Sequence, residues 1–215
     1  MRRILAGIVL AVMLTGGAAA GPYEEGVAAY ERGDYATALR LWRPLAEQGD
    51  ALAQYNLGVA HVEGHGVPQD HAEAAKWFRF AAEQGFAKAQ YNVGLMYVEG
   101  RGVPQDHAEA LKWFRFAAEQ GLASAQHNLG SMYASGRGVP QDYVQAHMWF
   151  NLAASLAPAT EAEERELPGA LPGHTGAQYA PNRRHAIDYR DSVASKLTPA
   201  QIAEAQKLAR EWKPK

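Results

Sequence analysis

One stretch of this chain occurs twice, 36 positions apart and with only two residues changed. Residues 64–85 read GHGVPQDHAEAAKWFRFAAEQG, and residues 100–121 read GRGVPQDHAEALKWFRFAAEQG. The triplet Gln54-Tyr55-Asn56 likewise returns as Gln90-Tyr91-Asn92 and as Gln126-His127-Asn128. Self-similarity at a fixed period predicts an array in which each unit buries its apolar face only by stacking on its neighbours.

The first half of each unit predicts a helix, over about Ala51 to Glu63 in the first full copy. Its apolar residues recur at i, i+3 and i+4, which places them on one helical face. Gly58, Gly94 and Gly130 occupy the same position inside this helix. A glycine inside a helix costs roughly 1 kcal/mol relative to alanine, so its recurrence predicts a close contact between helices.

The second half of each unit predicts another helix. The linker Gly-x-Gly-Val-Pro-Gln supplies glycines that end the first helix, and Pro68 prevents it from restarting. Asp70 is the predicted N-cap, and Glu73 follows three residues later in a capping-box arrangement. The second helix runs to about Gln84. Its predicted buried stripe consists of Ala74, Trp77, Phe78 and Ala81, and the recurring tryptophans Trp77, Trp113 and Trp149 are predicted core residues.

The flanking segments follow different patterns. Residues 21–50 predict a shorter variant unit with a tighter turn, and residues 51–156 contain the full repeats. Prolines and glycines break the pattern over 157–184, which predicts a loop. Residues 185–215 predict capping helices, the last of which starts with an N-cap, a first-turn proline and a capping-box glutamine at Thr198, Pro199 and Gln201.

The N-terminus reads as a secretory signal peptide over residues 1–20, with two arginines, an apolar run and small residues before the cleavage site. We therefore expect a periplasmic or secreted protein, with no stable membrane insertion after cleavage. The chain has no cysteine and a formal net charge of −2, which disfavours thiol chemistry and a basic nucleic-acid-binding surface. The composition, 47% hydrophobic and 20% charged, is that of a globular protein.

The repeat resembles a known pattern, LGxMYxxGxGVPQDxxxAxxWFxxAAxxG. Here that pattern is carried by Val93-Gly94, Met96-Tyr97, 100–106, Ala110, Trp113-Phe114, Ala117-Ala118 and Gly121. The chain is thereby identified as similar to Sel1-like repeat proteins, a branch of the tetratricopeptide superfamily. The resemblance implies an all-α fold, a right-handed α-solenoid of helix-turn-helix repeats. It also implies a non-catalytic scaffold or adaptor that binds a protein or peptide.

In solenoids of this kind the first helix of each unit lines the concave face. Carried onto this chain, the resemblance implies a partner-binding face, and Tyr55, Val59 and Val62 indeed lie off the main apolar face. The alternative is that these side chains pack against a neighbouring helix. The implied face consists of Tyr55, Asn56, Val59, Val62, Glu63, Tyr91, Asn92, Leu95, Val98, Glu99, His127, Asn128 and Ser131.

Other kinds of site are weakly indicated. The Gly-x-Gly segments lack the lysine, serine or strand of a phosphate-binding loop. His61 and His65 are four residues apart, but the predicted linker separates them, and no metal or other cofactor is expected. Two alternative functions remain open: an enzyme acting on cell-wall or β-lactam substrates, with which cysteine-rich Sel1-repeat proteins have been associated, and a structural spacer in an envelope or polysaccharide-export assembly.

Overall fold

The computed structural model describes residues 21–156 and 183–214, and this part of the chain is helical without a β-strand. It contains ten helices, which we number in chain order. They are α1 Pro22–Glu31, α2 Tyr35–Glu47, α3 Ala51–Glu63, α4 His71–Glu83, α5 Ala87–Glu99, α6 His107–Glu119, α7 Ala123–Ser135, α8 Tyr143–Leu156, α9 Arg183–Ala194 and α10 Pro199–Glu211.

Consecutive helices pack in pairs, and the pairs contact one another in chain order. The pairs are α1 with α2, α3 with α4, α5 with α6 and α7 with α8. The second helix of each pair also packs against the first helix of the next pair. This arrangement, in which each unit touches its neighbours, confirms the predicted all-α solenoid.

The helix boundaries follow from local capping chemistry. The carboxylate of Asp70 accepts hydrogen bonds from the backbone N–H groups of Ala72 at 2.9 Å and Glu73 at 3.0 Å. The predicted reciprocal bond from Glu73 is replaced by an ion pair with Lys76 at 2.8 Å. At the start of α10, Thr198 and Gln201 form the predicted capping box. Side chains therefore satisfy some of the N-terminal orphan donors of α4 and α10.

The recurring glycines lie where the two helices of a unit meet. A Cβ atom built on Gly58 would lie 2.6 Å from the ring of Phe78, and one on Gly130 would lie 3.0 Å from the ring of Phe150. Real Cβ contacts are almost never as short as the first of these distances. The predicted close helix contact is thus confirmed, and an aromatic ring fills it.

Side-chain amides join adjacent units. In the core between units, Gln54 donates to the carbonyl oxygen of Ala46 at 3.0 Å and accepts from Gln84 at 2.7 Å. One period later, Gln90 donates to Ala82 at 3.1 Å and accepts from Gln120 at 2.8 Å. The side-chain amides of Gln54 and Gln90 therefore find hydrogen-bond partners on the helices packed around them.

The tryptophans differ between units, which corrects the predicted buried stripe. Ala74, Phe78 and Ala81 are buried, whereas Trp77 is only half-buried, as is Trp113. Of the three, Trp149 alone is buried. The reason is that α9 and α10 both pack on α8, whereas α4 and α6 pack mainly on the helices directly before and after them.

Two predicted segments fall largely outside the described residues. The signal peptide at 1–20 lies outside them, and so does the loop at 157–184 apart from its last two positions, which belong to α9. The ring of Tyr189 in α9 stacks on Phe150 of α8 at 5.5 Å.

Candidate functional site

The first helices of successive units leave a groove between α5 and α7. It has a volume of about 240 Å³. Its apolar lining consists of Leu95 and Val98 on α5, Phe114 on α6 and Met132 on α7. Five members of the predicted face line it, namely Leu95, Val98, Glu99, Asn128 and Ser131.

Polar and charged side chains line the same groove. Glu99 and Arg137 carry opposite charges and lie at the same groove. Glu99 also forms an ion pair with Arg101 at 3.1 Å, and both side chains remain partly exposed. The groove therefore combines apolar side chains with hydrogen-bonding groups, which is the composition of sites that orient a ligand.

Two serine hydroxyls in or beside the groove have no obvious nucleophilic role. The Ser135 hydroxyl donates to the carbonyl oxygen of Ser131 at 2.8 Å, within α7. His107 lines the same groove, but among the described residues its Nδ1 has no hydrogen-bond partner. A serine nucleophile requires a base within hydrogen-bond reach, and no Ser–His hydrogen bond is formed here among the described residues.

Several residues of the predicted face are packing residues instead. Tyr55, Asn56, Val59, Tyr91 and His127 are all buried. The Tyr55 ring lies 5.5 Å from that of Phe78 and 5.1 Å from that of Phe86. For these five positions, packing against a neighbouring helix is the arrangement that the structure shows.

A ladder of asparagine and tyrosine links the first helices of successive units. The Asn56 amide donates to the hydroxyl of Tyr23 at 3.2 Å. One unit later, burial raises the pKa of Tyr55 to about 12, and a hydrogen bond with Asn92 partly opposes this rise. These contacts hold adjacent first helices in register.

Among the remaining residues of the predicted face, Asn92 and Val62 are half-buried, and Glu63 is exposed.

Sequence reasoning did not assign several other lining residues to this face, namely His107, Phe114, Met132 and Arg137. The Gly-x-Gly linker supplied a signal for one of them, because its central residue varies among His65, Arg101 and Arg137 in otherwise similar linkers. In the first linker, Nδ1 of His65 is 2.8 Å from the Tyr30 hydroxyl, and its ring stacks on Tyr35 at 4.2 Å. His65 thus takes part in packing between units.

Two searches of the described residues bear on other kinds of site. Across 21–156 and 183–214, no group of three or more His, Cys, Asp or Glu side chains could hold a metal ion. Within the same ranges, every helix is too short or too polar to cross a bilayer.

The sequence and the fold both match known proteins. The model of the Sel1 repeat matches residues 18–50, 51–86, 87–122 and 123–158. No curated protein matches the chain.

Crystal structures of other proteins, among them these two, share the fold. One is c5321, a protective antigen present in uropathogenic Escherichia coli strains that displays an SLR fold; the match has 33% identity and a TM-score of 0.69. It covers 89% of this chain but only 37% of that protein. The other is a Sel1 repeat protein from Oxalobacter formigenes, with 29% identity, a TM-score of 0.62, and coverage of 87% of this chain and 74% of that one.

Proposed function

The chain belongs to the Sel1 repeat family, and on this premise we propose that it is an exported, non-catalytic scaffold that binds a protein or peptide in the groove between α5 and α7. The observation that carries the proposal is the groove itself. Leu95 and Val98 line the groove and remain half-exposed, although Val59, the equivalent of Leu95 one unit earlier, is buried.

The chemistry of the groove favours a short extended segment over a small metabolite. An apolar side chain of such a segment would cover Leu95 and Val98, and its backbone would meet the amide of Asn128. The opposite charges of Glu99 and Arg137 would orient it. Such a segment is the ligand class that repeat scaffolds recognise on extended surfaces.

Export is supported by the sequence of residues 1–20. We propose cleavage after Ala20 and a location in the periplasm or outside the cell. N-terminal sequencing of the protein recovered from the periplasmic and culture fractions tests this. Recovery of an intact Met1 in the cytoplasmic fraction alone would contradict it.

The groove is tested by site-specific photocrosslinking in cells. A photoreactive phenylalanine derivative replaces Ser131, which lines the groove, and a matched control carries it at Glu204, which is exposed on α10. We expect a discrete adduct from position 131 that is lost when Leu95→Ala and Val98→Ala are introduced together. An adduct that persists in a folded double variant, or one formed equally from position 204, would refute groove binding.

A further inference from the structure

The outer face of the second helices carries a repeated pair of aromatic residues. In α4 the rings of Trp77 and Phe80 meet edge to face at 5.8 Å, and in α6 those of Trp113 and Phe116 do so at the same 5.8 Å. Phe80 is 51% exposed and Phe116 is 52% exposed. Large apolar side chains that recur in this exposed state on one face indicate an interaction surface.

In the third full repeat, formed by α7 and α8, the equivalent face of α8 is covered. The positions equivalent to Trp113 and Phe116 are Trp149 and Leu152, each only 6% exposed. They share a hydrophobic cluster with residues of α10, and the ring of Trp149 meets that of Trp212 at 6.4 Å in a T-shaped contact. The chain therefore contains its own example of what covers this surface.

The covering helix has a simple apolar stripe. Ala205, Leu208, Ala209 and Trp212 lie at i, i+3, i+4 and i+7 and belong to the cluster that contains Trp149. Small residues let the helix backbone approach the aromatic face, and Trp212 supplies the large contact. An amphipathic helix that lays such a stripe on an apolar surface is a common mode of recognition.

The polar residues beside the aromatic pair also change between units. Beside Trp113, Lys112 forms an ion pair with Glu109, whereas the equivalent residues beside Trp149 are the uncharged Met148 and Gln145. Met148 is buried in the α10 cluster. The exposed outer faces of α4 and α6 thus each have a solvated Lys–Glu ion pair, which α8 lacks.

From this internal comparison we propose that the outer faces of α4 and α6 each bind an amphipathic helix of a partner protein, seated as α10 is seated on α8. The surface is defined by Trp77 and Phe80 in one unit and by Trp113 and Phe116 in the next. This surface is separate from the groove between α5 and α7. Both involve α6, but different side chains line the groove.

A second copy of the chain is a poor source of that helix. Its own α10 is already engaged, since Ala205 and Ala209 are buried within the chain. Supplying α10 to a neighbour would expose Trp149 and Leu152 and gain no additional apolar burial. The occupant therefore comes from another protein and carries its own apolar stripe.

The probe is a synthetic peptide with the sequence of residues 198–213, acetylated, amidated and labelled with a fluorophore. Ala203→Glu allows a side-chain lactam to Lys207 on the exposed side of the helix, which holds the peptide helical and removes the ordering cost of binding. Isothermal titration of the full chain with this peptide should give two sites per chain. Phe80→Ser should leave one site, Phe116→Ser should leave one, and the double variant should weaken binding at least tenfold at both.

Three controls make the outcome decisive. Phe80 and Phe116 are exposed, so circular dichroism should report an unchanged fold in their variants. A peptide with Leu208→Ser and Trp212→Ser should not bind, and Leu95→Ala with Val98→Ala in the groove should leave peptide binding intact even if groove binding fails. Absence of binding to the native chain, or binding that the Phe80 and Phe116 variants retain, overturns the proposal. So does sedimentation showing concentration-dependent self-association that these variants abolish.

Discussion

Gly94 of α5 lies directly against the ring of Phe114 in α6. A Cβ atom at position 94 would lie 2.6 Å from both Cδ1 and Cε1 of that ring. Phe114 is buried at 1% exposure, so moving its ring aside would disturb the core packing around it. Gly94→Ala should therefore lower the free energy of unfolding by about 1–3 kcal/mol through overpacking, despite a gain of roughly 1 kcal/mol in helix propensity. Urea denaturation followed by circular dichroism measures the change.

A compensating variant serves as the control for this prediction. In the Phe114→Leu background the ring atoms that meet the new methyl group are gone, so Gly94→Ala should cost less there than in the native chain. Equal costs in both backgrounds would show that the Gly94–Phe114 contact is not what requires glycine.

The buried glutamines should contribute unequally to the free energy of unfolding. Gln90 both donates to Ala82 and accepts from Gln120, whereas Oε1 of Gln126 has no hydrogen-bond partner among the described residues. Replacement by methionine keeps the shape and removes the amide. We expect Gln90→Met to lower stability by about 1–2 kcal/mol and Gln126→Met to cost about 1 kcal/mol less. Chemical denaturation of the two variants side by side decides the matter, and equal losses would contradict the prediction.

The missing partner of Gln126 can be restored. The residue that corresponds to Gln120 in the third unit is Leu156, which cannot donate and is 48% exposed. Leu156→Gln should place an amide donor near Oε1 of Gln126 and stabilise the chain by about 1 kcal/mol. Leu156→Met is the matched control without a donor, and the gain should vanish in the Gln126→Met background. A gain that survives in that background would have another cause.

The periodicity of the sequence predicts the array, the helix boundaries and the glycine contacts, because all of these are set within one unit. Gly58 and its equivalents are an example: the side chain that fills the space comes from the same hairpin. The exposure of Trp77 could not be predicted in this way. It depends on whether a later helix covers the outer face, and that happens only where α10 packs on Trp149.

The candidate groove was predictable only in part, for a related reason. Tyr91 and Leu95 are four residues apart, so helical spacing places them on the same side of α5. The structure buries Tyr91 against Phe114 at 5.7 Å but leaves Leu95 in the groove. Whether Tyr91 or Leu95 faces the groove depends on the angle between successive units. The sequence pattern within one unit does not determine that angle.

Stability should fall on acidification through His127 of α7. This residue stands where the preceding units have tyrosine, and its ring lies 5.1 Å from that of Phe150 and 4.9 Å from that of Tyr189. Burial, assisted by the nearby His185, lowers the pKa of His127 to about 4. In the unfolded chain the pKa returns to about 6.5, so the unfolded state binds a proton at a pH where the folded state does not.

The sign of the effect follows directly from that difference. Well above pH 6.5 both states hold neutral His127, and the histidine contributes almost no pH dependence. Between about pH 6.5 and 4 the unfolded state is favoured progressively, by up to about 3 kcal/mol. Urea denaturation at pH 7.5, 5.5 and 4.5 should show this loss in the native chain and a smaller loss in His127→Tyr, which restores the residue of the other units. His147, whose pKa is also lowered by burial, remains in both proteins and gives a common background. If His127→Tyr lost as much stability as the native chain between pH 7.5 and 4.5, the acid sensitivity would belong to other groups between α7, α8 and α9.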